Sequence, residues 1–270
     1  MRLEPVPPGA KLRLTDAMAA APEDAPSKHD AVENVERLGE RIDQLQDVLY
    51  AEGKRALLVV LQGRDTSGKD GTIRKVFGPL DPLGILISSF KAPTPVELAH
   101  DFLWRVHQAV PPKGFIGVFN RSHYEDVLVV RVHELVPEKV WRARFAQIEH
   151  FEQLLTGNGV TILKFFLHIS KEEQRQRLLA RLEDPAKYWK FSAGDLKERD
   201  RWDDYTTAYE EALVRTSTPE APWYVVPADK KYVRDLLVAQ VVADTLERMK
   251  LEYPGPPEGL EDFRRVLRKA

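Results

Sequence analysis

One stretch decides the fold, and it reads Leu57-Leu58-Val59-Val60-Leu61-Gln62-Gly63-Arg64-Asp65-Thr66-Ser67-Gly68-Lys69-Asp70-Gly71. Its first half is almost continuously apolar, which is typical of a buried strand in a parallel sheet. Its second half has the spacing Gly-x4-Gly-Lys, which is typical of a phosphate-binding loop. In such a loop the backbone N–H groups turn inward and the lysine reaches the outer phosphates. The alternative is a glycine-rich turn that happens to precede a lysine.

A helix is predicted directly after this loop, because Ile73, Val76 and Phe77 share one helical face and Gly78-Pro79 would end it. The unpaired N–H groups and the positive dipole end of that helix would complete an anion site. Strand, loop and helix therefore agree on one interpretation. The predicted phosphate-binding residues are Gly63, Thr66, Ser67, Gly68, Lys69, Asp70 and Gly71.

Two acidic residues, Asp65 and Asp70, lie inside this loop. A carboxylate there repels phosphate unless a cation lies between the two. We therefore predict that Asp65 and Asp70 bind a metal ion or orient the attacking phosphate oxygen. For Asp70 the alternative is a simple cap on the following helix.

Composition excludes several classes of function. The 270 residues contain no cysteine, which excludes disulfides, thiolate zinc sites and cysteine nucleophiles. The net charge of -2 provides no overall basic field for nucleic acid. The N-terminus lacks the pattern of a signal peptide, and the longest apolar runs are shorter than the ~20 residues of a membrane span. We expect a soluble, cytoplasmic protein that binds neither nucleic acid nor membranes.

Strand and helix patterns alternate along the chain. Apolar runs predict five strands, and the alternation predicts one doubly wound parallel sheet with helices on both faces. We expect a single domain over residues 29–252, an N-terminal arm over 1–28 that lies on the surface or is partly disordered, and a C-terminal tail over 253–270. The predicted strands are 57–61, 85–90, 115–119, 160–169 and 221–227, and helices are predicted over 30–52, 95–109, 137–155 and up to Met249.

The third strand is followed by the polar run Asn120-Arg121-Ser122-His123-Tyr124-Glu125-Asp126. In a phosphate-loop protein, an acid at this strand end holds magnesium or its waters. Here Asn120 occupies that position, so the metal-binding role is open among Glu125, Asp126 and Asp65. Arg121 is suited to neutralise the charge of a transferring phosphate. His123 is as compatible with a structural role as with a catalytic one.

A hinged, basic and aromatic segment over about 175–205 is predicted to be a helical lid that excludes water from bound phosphates. Within it Arg177 and Arg181 are four residues apart and share a face, which favours a phosphate clamp. A solvated helical hairpin is the alternative. Lys91, at the exit of the second strand, and Lys75 are further candidates for phosphate contact. Asn120 and Glu125 are also predicted to contact the phosphates or the nucleotide.

Four motifs follow one another along the chain: Gly63 to Gly71, Asn120 to Asp126, the segment from Arg175 through Asp184-Pro185 to Phe191, and Ala221-Pro222-Trp223. In this order they resemble the motifs of the second polyphosphate kinase family. The resemblance spans about 29–252. It implies a three-layer α/β sandwich similar to thymidylate and other nucleoside monophosphate kinases, with a five-stranded parallel sheet and a lid. It also implies that inorganic polyphosphate is the phosphoryl donor, that Mg²⁺ or Mn²⁺ is the cofactor, and that the protein is a dimer or tetramer.

The Asn-Arg-Ser-His-Tyr-Glu-Asp form of the second motif resembles the subgroup that phosphorylates both AMP and ADP. The resulting hypothesis is reversible transfer of the terminal phosphoryl group of polyphosphate to AMP and ADP, which gives ADP and ATP. The alternatives are an ATP-dependent nucleoside monophosphate kinase and a nucleotide-binding regulatory switch. The predicted catalytic residues are Asp65, Lys69, Arg121, Asp126, Arg177 and Arg181, and the predicted metal ligands are Asp65, Asp70 and Asp126.

Overall fold

A five-stranded parallel sheet forms the centre of the computed structural model, which describes residues 1–269. The strands lie in the order β2-β3-β1-β4-β5, and every neighbouring pair is parallel. All five strands were predicted from the sequence. Their bounds are Ala56–Gln62 (β1), Ile85–Ser89 (β2), Ile116–Asn120 (β3), Val160–His168 (β4) and Trp223–Pro227 (β5).

Eleven α-helices surround the sheet in the described part of the chain. The second continues as a wider π-helical turn over Ile73–Phe77. The helices are Lys28–Glu52 (α1), Lys69–Thr72 (α2), Pro95–Leu98 (α3), Trp104–Ala109 (α4), Val129–Val132 (α5), Glu138–Gly157 (α6), Lys171–Glu183 (α7), Ala193–Asp200 (α8), Trp202–Thr216 (α9), Lys231–Arg248 (α10) and Leu260–Leu267 (α11).

The central strand β1 is buried on both faces, so its side chains enter two separate cores. Leu57, Val59 and Leu61 face the layer that contains α1 and α10. Leu58 and Val60 face the opposite layer, to which α6 and α9 contribute. A strand buried on both sides needs no polar alternation, which explains the continuous apolar run in the sequence. The predicted three-layer α/β sandwich is confirmed.

The N-terminal arm is packed onto the domain. Val6, Leu14 and Ala19 are buried. The backbone N–H of Val6 donates to the carbonyl oxygen of Trp223 (2.8 Å), at the outer strand of the sheet. Of the two alternatives for residues 1–28, the structure therefore favours an arm held against the surface.

The single helix predicted over 95–109 is wrong, because the structure breaks it into α3 and α4. Asp101 lies between them, and its side-chain Oδ1 accepts a hydrogen bond from the N–H of Leu103 (3.0 Å). Such a local side-chain bond competes with the helical backbone ladder. Leu98, at the end of α3, is 68% exposed.

None of the helices within residues 1–269 combines the length and the apolar character that a membrane crossing requires.

The order of the strands in the sheet fixes where a ligand can bind. From β1 the chain crosses to the edge strand β2, returns to β3 beside β1, and then crosses to β4 and β5 on the other side. The crevice at the carboxyl ends of the strands beside β1 is the position where open α/β sheets bind ligands.

Candidate active site

The loop after β1 wraps around the Lys69 side chain. The Nζ of Lys69 donates to the carbonyl oxygens of Gly63 (2.6 Å) and Arg64 (3.3 Å). The residue is only 8% exposed. Burial, reinforced by the nearby guanidinium of Arg121, lowers the pKa of Lys69 to about 8. The structure thus places a buried amine with a lowered pKa at the centre of the loop.

The loop backbone adopts conformations that few side chains tolerate. Thr66 has a φ of 66°, in the left-handed region. Gly68 has a φ of 103°, and a Cβ atom there would lie 1.8 Å from Nη1 of Arg234. The φ of this second glycine therefore requires glycine, and an added Cβ would in addition displace the guanidinium of Arg234 from α10.

Arg121 joins the loop to the end of β3. Its Nη2 donates to Oδ1 of Asp65 (3.0 Å), and its Nη1 donates to Oε2 of Glu125 (3.3 Å). The Glu125 carboxylate raises the pKa of Arg121, burial opposes this, and the Asp65 carboxylate adds to the increase. Arg121 is a non-glycine residue with a φ of 62°, a strained conformation of the kind that clusters at functional sites.

A second contact between the two motifs joins Asn120 and Asp70. The Nδ2 of Asn120 donates to Oδ1 of Asp70 (2.8 Å). The residue that replaces the expected strand-end acid therefore holds the acid in the phosphate-binding loop. The structure brings Asp65, Asp70, Asn120, Arg121 and Glu125 together at one edge of the sheet.

Asp126 does not join this group. Its Oδ1 accepts from Nη1 of Arg144 on α6 (2.9 Å), and its backbone carbonyl accepts from the same guanidinium (3.1 Å). Burial raises the pKa of Asp126 against the opposing charges of Arg144 and Arg105. Asp126 therefore faces α6, although the sequence places it one residue after Glu125.

The predicted metal ligands do not form a compact cluster within residues 1–269. Within residues 1–269, one set of three potential ligand residues has its donor atoms within 4.8 Å of one another. That set is His29, Asp30 and Glu33, on the exposed first turns of α1. Asp65 and Asp70 nevertheless provide carboxylate oxygens, the donors that Mg²⁺ prefers, beside the phosphate-binding loop.

Arg177 lies beneath the loop. All five N–H donors of a guanidinium can be assigned here: Nε bonds to Glu173, Nη1 to the carbonyl oxygens of Thr66 and Ser67, and Nη2 to those of Ala228 and Asp229. In this conformation Arg177 has no free donor for a phosphate. It ties the loop to the segment that follows β5.

The other predicted phosphate contacts lie further out. Arg181 donates to the carbonyl oxygen of Lys190 (3.1 Å) and to Asp195 (3.4 Å), so it holds the segment 184–195 together. The aromatic side chain of Trp189 in that segment is 78% exposed. Lys75 and Lys91 are both exposed, and within residues 1–269 neither forms an ion pair closer than 4 Å.

Sequence reasoning missed three residues that support the loop. Arg234 donates to the carbonyl oxygen of Ser67 (3.2 Å), and Gln174 donates to that of Asp65 (3.2 Å). The guanidinium of Arg64 stacks on the ring of Trp202 at 4.0 Å. Only Arg234 had a usable signal in the sequence, because the charged pair Arg234-Asp235 directly precedes the apolar run Leu236-Leu237-Val238-Ala239.

Comparison with known protein families agrees with this geometry. The family described as Polyphosphate kinase 2 matches residues 25–254. The AMP/ADP-polyphosphate phosphotransferase of Meiothermus ruber is 55% identical over 234 residues, which cover 87% of this chain and 88% of that protein. The ADP-polyphosphate phosphotransferase of Rhodopseudomonas palustris is 50% identical and covers 80% of this chain and 78% of its own length.

A solved structure is similar over the whole chain. The crystal structure of polyphosphate kinase 2 from Arthrobacter aurescens superposes with a TM-score of 0.89 at 41% sequence identity. The match covers 100% of this chain and 99% of that one. With a family match that spans most of the chain and relatives of such identity, the chain belongs to the polyphosphate kinase 2 family.

Proposed function

We propose that this chain transfers the terminal phosphoryl group of inorganic polyphosphate to AMP and to ADP. One observation carries the proposal: Arg121 bridges the phosphate-binding loop and the Asn120–Asp126 motif, through Asp65 at 3.0 Å and Glu125 at 3.3 Å. The 55% identity to an AMP/ADP-polyphosphate phosphotransferase supports this choice of donor and acceptors.

In the proposed reaction, a terminal phosphate oxygen of the nucleotide attacks the terminal phosphorus of the polymer. A new P–O bond forms, the bridging P–O bond breaks, and the shortened polymer leaves with that electron pair. Both reactants are anions, so catalysis consists mainly of aligning them and neutralising charge. Lys69 and the loop N–H groups hold phosphate oxygens, while Arg121 faces the transferring group.

We propose Mg²⁺, or Mn²⁺ in its place, as the cofactor of this site. Asp65 and Asp70 would hold the ion, because their oxygens lie beside the loop and their partners leave each carboxylate partly open. Bound there, the ion would neutralise charge on the phosphate oxygens. Asp126 is bonded to Arg144 and would reach the ion only after that pair opened.

Segment 175–205 is proposed to close over both substrates as a lid. Arg181 and the exposed Trp189 would move with it. Residues 29–252 would form the catalytic unit. A homo-oligomeric state, dimer or tetramer, and a cytoplasmic location complete the proposal.

The test uses purified protein, magnesium, long-chain polyphosphate and AMP, with no ATP present. We expect ADP to appear first and ATP second by chromatography. The parent protein given ADP without polyphosphate controls for a contaminating adenylate kinase, which would convert two ADP into ATP and AMP with no other donor present. A second assay replaces polyphosphate with ATP as the donor. Transfer to AMP from ATP but not from polyphosphate would identify a nucleoside monophosphate kinase.

The pKa of Lys69 predicts how activity depends on pH. The ammonium is the form that holds phosphate, and a pKa of about 8 means that this form is lost as pH rises through that value. Because kcat/KM reports the free enzyme, we expect kcat/KM for polyphosphate to fall above pH 8. Bound phosphate stabilises the ammonium, so kcat should persist to higher pH.

The matched variant for this measurement is Lys69→Arg, since a guanidinium stays charged throughout the range. Its residual kcat/KM should show no decline near pH 8. A decline at the same pH in both proteins would assign the titration to another group.

A further inference from the structure

A network of buried polar groups lies beneath the turn that carries Arg121 and Glu125. Its centre is Lys164, in the middle of β4 and fully buried. The Nζ of Lys164 donates to Oε2 of Glu152 (2.5 Å), to the carbonyl oxygen of Thr216 (2.6 Å) and to the hydroxyl of Tyr124 (2.9 Å). These bonds use all three donors of an ammonium group.

The second oxygen of Glu152 extends the network to the turn. Oε1 of Glu152 accepts from the hydroxyl of Tyr124 (2.8 Å) and lies 3.2 Å from Nε2 of His123. The exposed fractions of His123, Tyr124, Glu152 and Lys164 are all 3% or less. One carboxylate, from α6, therefore contacts two consecutive residues of the Asn120–Asp126 motif.

Stability alone is a weak explanation for this arrangement. A buried ion pair costs desolvation, and well-packed apolar side chains of similar volume are often as stable or more stable. The neighbouring buried groups are largely apolar or aromatic, including Phe166 and Trp223. The charged pair is informative because its hydrogen bonds converge on His123 and Tyr124, between Arg121 and Glu125.

The backbone of the turn explains why an anchor is needed. The left-handed conformation of Arg121 is strained for a residue with a side chain. Such strain persists only where the surroundings hold it in place. His123 and Tyr124 point away from the phosphate-binding loop into the network, while Arg121 and Glu125 bond to each other above it.

We propose that Lys164 and Glu152 are positioning residues for phosphoryl transfer, which fix His123 and Tyr124 and thereby hold Arg121 against Asp65. The expected change in kcat rests on the proposed function. The expected change in hydrogen exchange of the turn does not depend on which substrates the protein uses.

The decisive variant is the double substitution Lys164→Met with Glu152→Leu, which removes both charges and keeps similar volumes. We expect cooperative thermal unfolding and a fall in kcat of about 10- to 100-fold, as small misplacements of catalytic groups produce. The KM values for polyphosphate and AMP should change much less, because the phosphate-binding loop is untouched. A folded double variant with kcat within about twofold of the parent would overturn the proposal.

Gln46→Leu is the matched control. Gln46 is 1% exposed and bonds to the backbone of Asp81 on the opposite face of the sheet. The Gln46→Leu variant should keep the kcat of the parent protein. An equal loss of kcat in this variant would show that the loss in the double variant comes from general destabilisation, which would contradict the positioning role. If the double variant fails to fold, Tyr124→Phe removes a single hydroxyl, and an unchanged kcat there would overturn the proposal.

Hydrogen exchange provides the readout that is independent of substrate. In the double variant we expect faster exchange of the amides of residues 121–125 and unchanged exchange in β1. If the parent protein fails to use polyphosphate, the proposed function is wrong, yet this measurement still decides the positioning role. Unchanged protection of the turn in a folded variant would contradict it.

Discussion

Replacing Lys69 by methionine is expected to lower kcat for transfer from polyphosphate to AMP at least about 100-fold, the scale seen when one preorganised donor to developing charge is removed. Methionine retains most of the length and volume of the side chain. It removes the ammonium that bonds to the carbonyl oxygens of Gly63 and Arg64 inside the loop. The measurement is the initial rate of ADP formation at saturating polyphosphate and AMP.

The control for this prediction is Lys54→Met. Lys54 is exposed and precedes β1, at the opposite end of the strand from the phosphate-binding loop. It should retain the rate of the parent protein, and both variants should show the far-UV circular dichroism of a folded α/β domain. A Lys69→Met protein with near-normal turnover would refute the assignment of the loop as the phosphate site.

Asp65→Asn is expected to reduce turnover by a similar factor, about 100-fold. The amide keeps the shape of the side chain but removes the charge that holds Arg121 at 3.0 Å. It also removes one of the two carboxylates proposed to bind the metal ion. We therefore expect the magnesium concentration that gives half-maximal rate to rise together with the fall in kcat.

A magnesium titration separates the two effects of Asp65→Asn, which are the loss of the Arg121 contact and the loss of a metal-binding carboxylate. If Asp65 acts only through Arg121, kcat falls while the magnesium dependence stays that of the parent protein. Asp47→Asn, at an exposed position on α1, is the matched control and should change neither quantity. Normal turnover in Asp65→Asn would show that the Arg121 contact contributes little to the reaction.

The sequence by itself determined the elements and their order. The phosphate-binding loop, the continuous apolar strands and the three-residue and four-residue periodicity of α1 and α6 are local patterns. Each is set by backbone geometry and by burial on one or both faces, so it can be recognised without knowledge of a partner. The prediction failed over 95–109, where the side chain of Asp101 competes with the helix and the apolar pattern conceals the break.

Only the tertiary structure decided what each polar side chain contacts. Arg177 was predicted to clamp phosphate, but in the structure its two terminal nitrogens donate to four backbone carbonyl oxygens. Asp126 was predicted to bind a metal ion and pairs with Arg144 instead. Those partners lie between 18 and 111 residues away in sequence. A hydrogen bond needs its two atoms within about 3 Å, and residue spacing does not encode that proximity for distant segments of a folded chain.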